Sequence, residues 1–313
     1  MNNYINNKAM KTIVTPPRFG LLGQRVLLRT ARLWPDAAYL KAMYWLKFGK
    51  RLDLVNPQTY NEKCQWLKLY YRKPMFTTMV DKYEVKKYVS DRIGDNYVIP
   101  CLGVWDRPED IEWERLPDQF VLKCTHDSGS VTVCKDKQSF DKEAAVSKLK
   151  TAMKMEYFYR NREWPYKNVR RRVIAEKYID TLGAVDSVEY KVTCMNGKVV
   201  FVTVCTGVAH SAPELRKNDH YTPTEWEKLD WTVVYKPSGK DITRPPFMDE
   251  MVELCEKLAK DIPLLRIDWY VNKEQLLFGE CTFYTWGGFG LFEPLEWAYK
   301  LGSWIQLPKK YND

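Results

Sequence analysis

An α+β fold is what this sequence predicts, and three observations carry the prediction. Strand-like runs come as adjacent pairs joined by short polar turns, the local pattern of antiparallel hairpins. Between those pairs lie longer stretches with apolar residues at helical spacing. A chain of 313 residues with 45% apolar and 14% aromatic content can bury a large core, which excludes disorder throughout.

The elements follow in order. Residues 1–34 read as irregular, because Pro16-Pro17 and Gly20 interrupt any long helix. Residues 36–50 are amphipathic and read as helix. Asn56-Pro57-Gln58-Thr59 supplies a turn and a cap for a helix over 60–69. A further helix fits 82–93, and 97–105 reads as strand, turn, strand. Residues 120–124 form a strand with 131–134 as its hairpin partner. Residues 139–157 read as helix and 173–179 as strand. Asn196-Gly197 joins strands over 189–195 and 198–205. Residues 207–245, rich in Pro, charge and Trp, read as a long irregular excursion. A helix over 247–260 leads into a last hairpin, 265–271 and 275–282, across Asn272-Lys273-Glu274.

That hairpin is the most informative segment. Folded about residue 274, it sets Asp268 opposite Glu280 and Arg266 opposite Thr282. Side chains alternate with a period of two, so all four share a face. Opposed acids repel unless a positive group lies between them. A divalent metal with oxygen ligands would supply one; a surface hairpin with incidental charges is the alternative.

Composition narrows the field further. The eight cysteines are widely spaced, with no CxxC pair, and most lie in apolar runs. Buried free thiols in a reducing, cytoplasmic setting fit this better than disulfides or a zinc site. Three histidines, His126, His210 and His220, are too scattered for a histidine metal site. No apolar run is long enough to span a bilayer, and no secretory h-region is present near the start. Residues 1–51 hold ten Lys or Arg against one acid, Asp36, and so carry the whole net charge of +9. Such a basic segment can lie on an anionic membrane, at the inner face of a cytoplasmic membrane for instance, or serve as a solubilising tail. Nucleic acid is not an expected partner, because the excess charge stops before the folded part.

Neither a Walker P-loop nor a GxGxxG is present, so a phosphate site must be built otherwise. Asp81-Lys82 opens a helix, where backbone amides favour anions. Lys123 is followed by Thr125-His126-Asp127-Ser128-Gly129-Ser130, a small hydroxyl-bearing turn whose N–H groups can face phosphates; an ordinary hairpin turn is the alternative. Glu176-Lys177-Tyr178-Ile179 ends a strand in a charged pair. His126 is either a base in the phosphate turn or a hydrogen-bonded loop residue. Cys124 and Cys281 alternate away from Lys123 and Glu280 and read as packing residues.

Taken in order, these segments resemble the ATP-grasp superfamily. Asn56-Pro57-Gln58-Thr59-Tyr60-Asn61-Glu62-Lys63, Gln65-Trp66-Leu67-Lys68-Leu69, Asp81-Lys82-Tyr83, Phe120-Val121-Leu122-Lys123-Cys124 and Phe278-Gly279-Glu280-Cys281-Thr282-Phe283 look like its TupA-like family. The resemblance covers roughly residues 35–308. That family is associated with bacterial surface polysaccharide and teichuronopeptide synthesis, and its members are often labelled glycosyltransferases. The resemblance implies two α+β subdomains clasping ATP, after a short helical N-terminal region. It divides the chain into a basic leader (1–34), a helical region (35–115), a lid subdomain (116–186) and a metal and acceptor subdomain (187–313).

Residue by residue, it implies that Lys82 and Lys123 contact ATP phosphates and that Ser128, Gly129 and Ser130 form a lid over them. Glu176, Lys177 and Ile179 would line the adenine. Lys191 and Arg266 would be catalytic, stabilising the transferring phosphoryl group. Asp268, Glu280 and Thr282 would hold Mg2+. Thr282 stands where most ATP-grasp ligases have Asn, and Glu189 precedes Tyr190-Lys191 where Asp is common. The implied reaction joins a carboxylate to an amine, each derived from a glycan or an amino acid, through an acyl-phosphate. Gly287-Gly288 after the metal strand leaves room for close approach of an acceptor. A sugar-nucleotide glycosyltransferase is the alternative, though its Asp-x-Asp motif is missing. An inactive glycan-binding protein, with Trp226, Trp231, Trp286 and Trp297 stacking on sugars, is a second alternative.

Overall fold

The computed structural model of the chain describes residues 20–179, 188–208, 213–272 and 275–311. Most of the basic leader, Asp186-Ser187, His210 and the hairpin tip Lys273-Glu274 lie outside the described residues.

Two antiparallel sheets organise the chain. The first comprises β1 (Cys101–Trp105), β2 (Phe120–Cys124), β3 (Thr132–Cys134) and β4 (Val173–Lys177), in the order β1-β4-β2-β3. β2 pairs with β3 as the sequence predicts, Phe120 opposite Cys134. Helix α6 (Lys142–Met153) is capped by Asp141, whose carboxylate accepts from the Ala144 N–H at 2.8 Å. It buries Ala145 and Leu149 on the side of the sheet that carries Phe120 and Leu122. Residues 97–105, expected to give two strands in the helical region, yield only β1. It pairs with β4 and so belongs to this sheet.

The second sheet runs β11-β10-β5-β6-β7-β8, with β5 (Glu189–Met195), β6 (Lys198–Thr206), β7 (Lys217–Tyr221), β8 (Lys228–Leu229), β10 (Leu264–Asn272) and β11 (Gln275–Thr282). Asn196 and Gly197 between β5 and β6 have φ of 53° and 78°, the left-handed pair that a tight type I′ turn needs. Helix α8 (Met248–Leu258) buries Met251, Leu254, Cys255 and Leu258 in the main core with Val192, Cys194, Ile267 and Trp269. The excursion over 207–245 is partly regular, against expectation. β7 and β8 extend the sheet, and β9 (Thr232–Val233) pairs with β12 (Phe292–Glu293). The polar, charged run Lys217-Asn218-Asp219-His220-Tyr221 hid β7, and pairing with the preceding strand β6 outweighs its local propensity.

Before the sheets come α2 (Asp36–Phe48), α3 (Tyr60–Tyr70), α4 (Met75–Val80) and α5 (Glu84–Ile93), with α7 (Phe158–Asn161) and α9 (Glu296–Trp304) later in the chain. Thr59 and Glu62 form a capping box for α3. The leader is not irregular throughout: α1 (Gly20–Arg29) packs Leu27 against α2. Gly20 stands at the helix start, where it costs little. All eight cysteines are free, and only Cys101 is exposed. Among the described residues no helix is long and apolar enough to cross a membrane.

One irregularity positions the site. β10 and β11 pair Arg266 with Thr282 and Asp268 with Glu280, then shift so that Trp269 faces Phe278. Gly279 is the extra residue of this bulge. A Cβ there would sit 2.9 Å from the Asp268 carbonyl oxygen and 3.0 Å from the Tyr270 ring, so only glycine fits. The bulge changes the phase of β11 and turns both Leu277 and Glu280 to the face that carries Asp268 and Tyr270. The predicted register of the acids is therefore right, but it results from a shorter turn plus a bulge.

Candidate functional site

One face of the second sheet carries the site. Read across the strands, Glu280, Asp268, Lys191, Thr203 and His220 stand directly opposite one another on β11, β10, β5, β6 and β7. The neighbouring row is Thr282, Arg266, Thr193 and Phe201. Alternation alone produces this alignment once the strands pair. The face forms part of a cavity of about 960 Å³ lined by Lys191, Arg266, Glu280, Thr282 and Ser128 among others.

Arg266 lies between the two acids. Its Nε donates to Asp268 Oδ1 at 2.6 Å and its Nη2 to Asp268 Oδ2 at 2.8 Å. The same Nη2 reaches Glu280 Oε1 at 3.3 Å and Thr282 Oγ1 at 3.0 Å. Lys191 donates to Asp268 Oδ2 and lies 3.2 Å from Glu189 Oε2, which Arg216 also contacts at 3.3 Å. An unbroken chain of alternating charge thus runs from Arg216 to Glu280. Burial works against charge here, but opposite neighbours outweigh it. Asp268 and Glu189 keep Lys191 protonated, Asp268 and Glu280 keep Arg266 protonated, and those two cations hold the Asp268 carboxyl below its usual range. At the far end of the row burial pushes His220 down to about 3, so its ring is neutral. It bonds Thr203 Oγ1 at 2.9 Å and stacks on Trp231 at 3.6 Å.

The positive group expected between the acids is, in this protein, first of all the Arg266 guanidinium. A magnesium ion must be judged against that. Glu280 faces the cavity, and among the described residues its Oε2 receives no hydrogen bond. Asp268 is 3% exposed with both oxygens engaged by cations. Among the described residues no cluster of three or more His, Cys, Asp or Glu side chains exists that could cage a metal. Two carboxylates and a threonine hydroxyl fit an ion that takes its remaining ligands from phosphate and water, as magnesium does.

The first sheet contributes a second charged group. Lys123 Nζ lies 2.5 Å from Glu176 Oε2, and Lys86 of α5 lies 2.6 Å from Glu176 Oε1. Burial opposes the charge on Glu176, yet the two lysines draw its carboxyl down to about 2. Lys86 was not singled out from the sequence, although it lies one helical turn beyond Lys82. The turn over residues 125–130 forms a third group. Lys82 donates to the Asp127 carbonyl, and Ser128 and Gly129 are exposed. The Ser130 hydroxyl is used inside the turn: it accepts from the Cys124 N–H at 2.8 Å and donates to Asp127 Oδ1 at 2.7 Å. His126 is 3% exposed and does not line the cavity.

Lys177 is exposed, and its N–H donates to the Pro100 carbonyl at 3.0 Å. Ile179 is buried with Ile99 and Leu277, against Tyr270, in a small cluster joining the two sheets. The Tyr270 phenol is pushed up by burial and by Glu189, Glu280, Asp268 and Glu176, so charges of both sheets converge around it.

Gly287 and Gly288 were read as room for an acceptor, but chain atoms fill that room. A Cβ at Gly288 would lie 2.5 Å from Cys64 Cβ, and one at Gly287 would lie 2.6 Å from Asn161 Nδ2. Helix α3 holds the turn through one face. Asn61 donates to the Gly288 and Gly290 carbonyls at 3.0 and 2.9 Å, Gln65 to Gly288 at 2.8 Å, and Lys68 to Gly287 at 2.5 Å. Trp226 and Trp231 stack on Tyr221 and His220; Trp231 and Trp286 line the cavity.

The profile of the TupA-like ATP-grasp family matches residues 62–306. No curated protein matches the chain. Among solved structures, D-alanine–D-alanine ligase from Bacillus anthracis complexed with ATP is 18% identical with a TM-score of 0.39, over 67% of this chain and 57% of that one. The ligase of that name from Helicobacter pylori is 14% identical with a TM-score of 0.43, over 80% and 70%. L-amino acid ligase from Bacillus licheniformis is 14% identical with a TM-score of 0.42, over 84% and 55%. The chain therefore spans little more than half the length of two of these three. The profile match extends from α3 into the segment after α9 and takes in every candidate site residue: the chain has the ATP-grasp fold and belongs to the TupA-like ATP-grasp family.

Proposed function

We propose that this protein is an ATP- and magnesium-dependent carboxylate–amine ligase that acts through an acyl-phosphate. The observation that carries the reading is the row Glu280, Asp268 and Lys191, with Arg266 beside it, on the wall of a cavity of about 960 Å³. Glu280, Asp268 and Thr282 would hold magnesium, which when bound neutralises phosphoryl oxygens. Arg266 and Lys191 present fixed positive charge where charge shifts during transfer, with Asp268 and Glu189 orienting them. Lys123, kept in place by Glu176, and Lys82, anchored to the Ser128-Gly129 turn, would meet the phosphates. Ile179 and Leu277 would enclose the adenine between the sheets. In this reading the lid begins at Cys101, since β1 belongs to its sheet.

The lining is rich in cations, including Lys47, Arg160, Lys191, Arg216 and Arg266, which suits an anionic acceptor. A carboxylate of a bacterial surface polysaccharide, or of an amino acid attached to one, meets that requirement and agrees with the family resemblance. Residues 20–34 expose Leu21, Leu22, Val26 and Leu33 beside Arg25 and Arg29, a pairing that supports contact with an anionic membrane surface.

The test is ligand-dependent melting. ATP with magnesium should raise the melting temperature, UDP-glucose should not, and Glu280→Gln should remove magnesium-dependent ATP turnover while leaving the unliganded melting temperature near wild type. Stabilisation by UDP-glucose alone would reject the ligase in favour of sugar transfer.

A further inference from the structure

Glu163 is a buried carboxylate to which the chemistry above gives no task. It lies between α7 and a 3-10 turn at Trp164–Tyr166, is 4% exposed, and lines the same cavity as Arg266 and Glu280. Among the described residues its carboxylate accepts one hydrogen bond, a long one from Asn161 Nδ2 at 3.5 Å. The cation that acts on it most strongly, Lys68, spends its donors on neutral oxygens: Gln65 Oε1 and the Asn161 carbonyl at 2.8 Å and the Gly287 carbonyl at 2.5 Å. A buried acid without a close cation is costly unless something else meets it.

The backbone is built to aim it. Arg162 has φ 55° and ψ 38°, a left-handed conformation that is unfavourable for a residue with a Cβ. Its guanidinium points into the N-terminal helices, 2.9 Å from Asp36 Oδ1 and 3.1 Å from the Trp34 carbonyl. The tight turn thus sends Arg162 one way and leaves Glu163 on the cavity wall. Tyr157 and Tyr166 line that wall too, with rings 4.7 Å apart. Both phenols are raised by burial and by Glu163 and Glu280 together, so the two acids lie within electrostatic range of the same pair of rings.

We propose that Glu163 receives the ammonium group of the amine substrate, on the cavity wall that Tyr157 and Tyr166 also line, and takes its proton; this assignment rests on the ligase reading. A carboxylate with aromatic faces beside it is a cation site. Burial pushes the Glu163 carboxyl up, against Lys68, Arg266 and Arg160, the direction that makes a carboxylate a stronger base. The other titratable groups around it are Cys64 of α3, Tyr284 beside the glycine turn, and the two phenols. In the step, the ammonium gives one proton to Glu163, and the freed lone pair forms the C–N bond at the acyl-phosphate carbonyl. The C–O bond to phosphate then breaks, phosphate leaves with that electron pair, and it carries off the second N–H proton.

The full chain is given ATP, magnesium, the twenty common amino acids and glucuronic acid, with or without hydroxylamine. Hydroxylamine is uncharged at neutral pH and needs no base, so hydroxamate reports the acyl-phosphate alone. In Glu163→Gln the ratio of amide to hydroxamate should fall about 100-fold near neutral pH and recover as pH rises. Glu163→Asp should restore part of it. An unchanged ratio, or amide and hydroxamate falling together, overturns the amine site. If Glu163→Gln does not fold, Glu163→Asp carries the test, and a wild-type ratio in it overturns the proposal. A wild-type enzyme that makes neither product overturns the ligase reading itself, and the amine site falls with it.

Discussion

Arg266 shows how much of this site depends on one side chain. Its planar fork meets both Asp268 oxygens and still reaches Glu280 and Thr282. A lysine cannot reproduce that geometry. Arg266→Met should leave two acids without their shared cation and destabilise the fold by about 3 kcal/mol in a denaturant titration. Arg266→Lys should retain most of the stability yet lower ATP turnover by about 100-fold; equal turnover would remove Arg266 from the chemistry. Glu176 makes a second residue-scale prediction. Its ordinary pKa is 4.5, and the lysines hold it at about 2 in the folded chain. A depressed acid stabilises the fold above its ordinary pKa, and that contribution is lost as pH falls from about 4.5 toward 2. Glu176→Gln should therefore flatten the stability–pH curve in that window. An unchanged slope would show that the two lysines do not hold the Glu176 carboxyl down.

At the scale of elements, the bulge in β11 decides what faces the cavity. Were Gly279 paired in regular register, it would stand opposite Asp268, and Glu280 would swing to the core side opposite Ile267. Gly279→Val should clash with the Asp268 carbonyl, which cannot move away without breaking the β10 ladder. The expected cost is about 2 kcal/mol, together with loss of the ATP–magnesium melting shift. A variant that kept the full shift would show that the register of Glu280 does not depend on the bulge. Helix α3 acts in the same way from the other side. Asn61, Gln65 and Lys68 share one helical face, and that face fastens the Gly287-Gly288 turn. Their spacing was visible in the sequence, but their partners lie more than two hundred residues away, so no local pattern could name them.

Across the whole molecule, the charged row of the second sheet lines the cavity, and the N-terminal helices close part of it. Gln24 and Leu28 of α1 line the cavity, and Leu27 is in the core with α2. Removing the leader entirely would therefore damage the body as well as any membrane contact. Replacing the exposed Leu21, Leu22 and Val26 with Ser is the cleaner change. It should weaken sedimentation with phosphatidylserine vesicles in low salt by about tenfold, from the apolar area withdrawn, with no change in melting temperature. Undiminished binding would leave the helix without a membrane role.

The sequence by itself determined the pairing of β2 with β3, the Asn196-Gly197 turn and the α3 cap, whereas the shared face of Asp268, Arg266, Glu280 and Thr282 also needed the β11 bulge. These depend on neighbours within a few residues, where alternation, capping and turn chemistry act directly. Only the tertiary structure decided that Lys191 stands opposite Asp268, that Arg266 fills the gap between the acids, that Lys86 joins Lys123 on Glu176, and that Glu163 reaches the cavity wall. Apart from the Arg266 contacts, those relations join segments far apart along the chain, and their energies come from shared burial and charge, which no local spacing encodes.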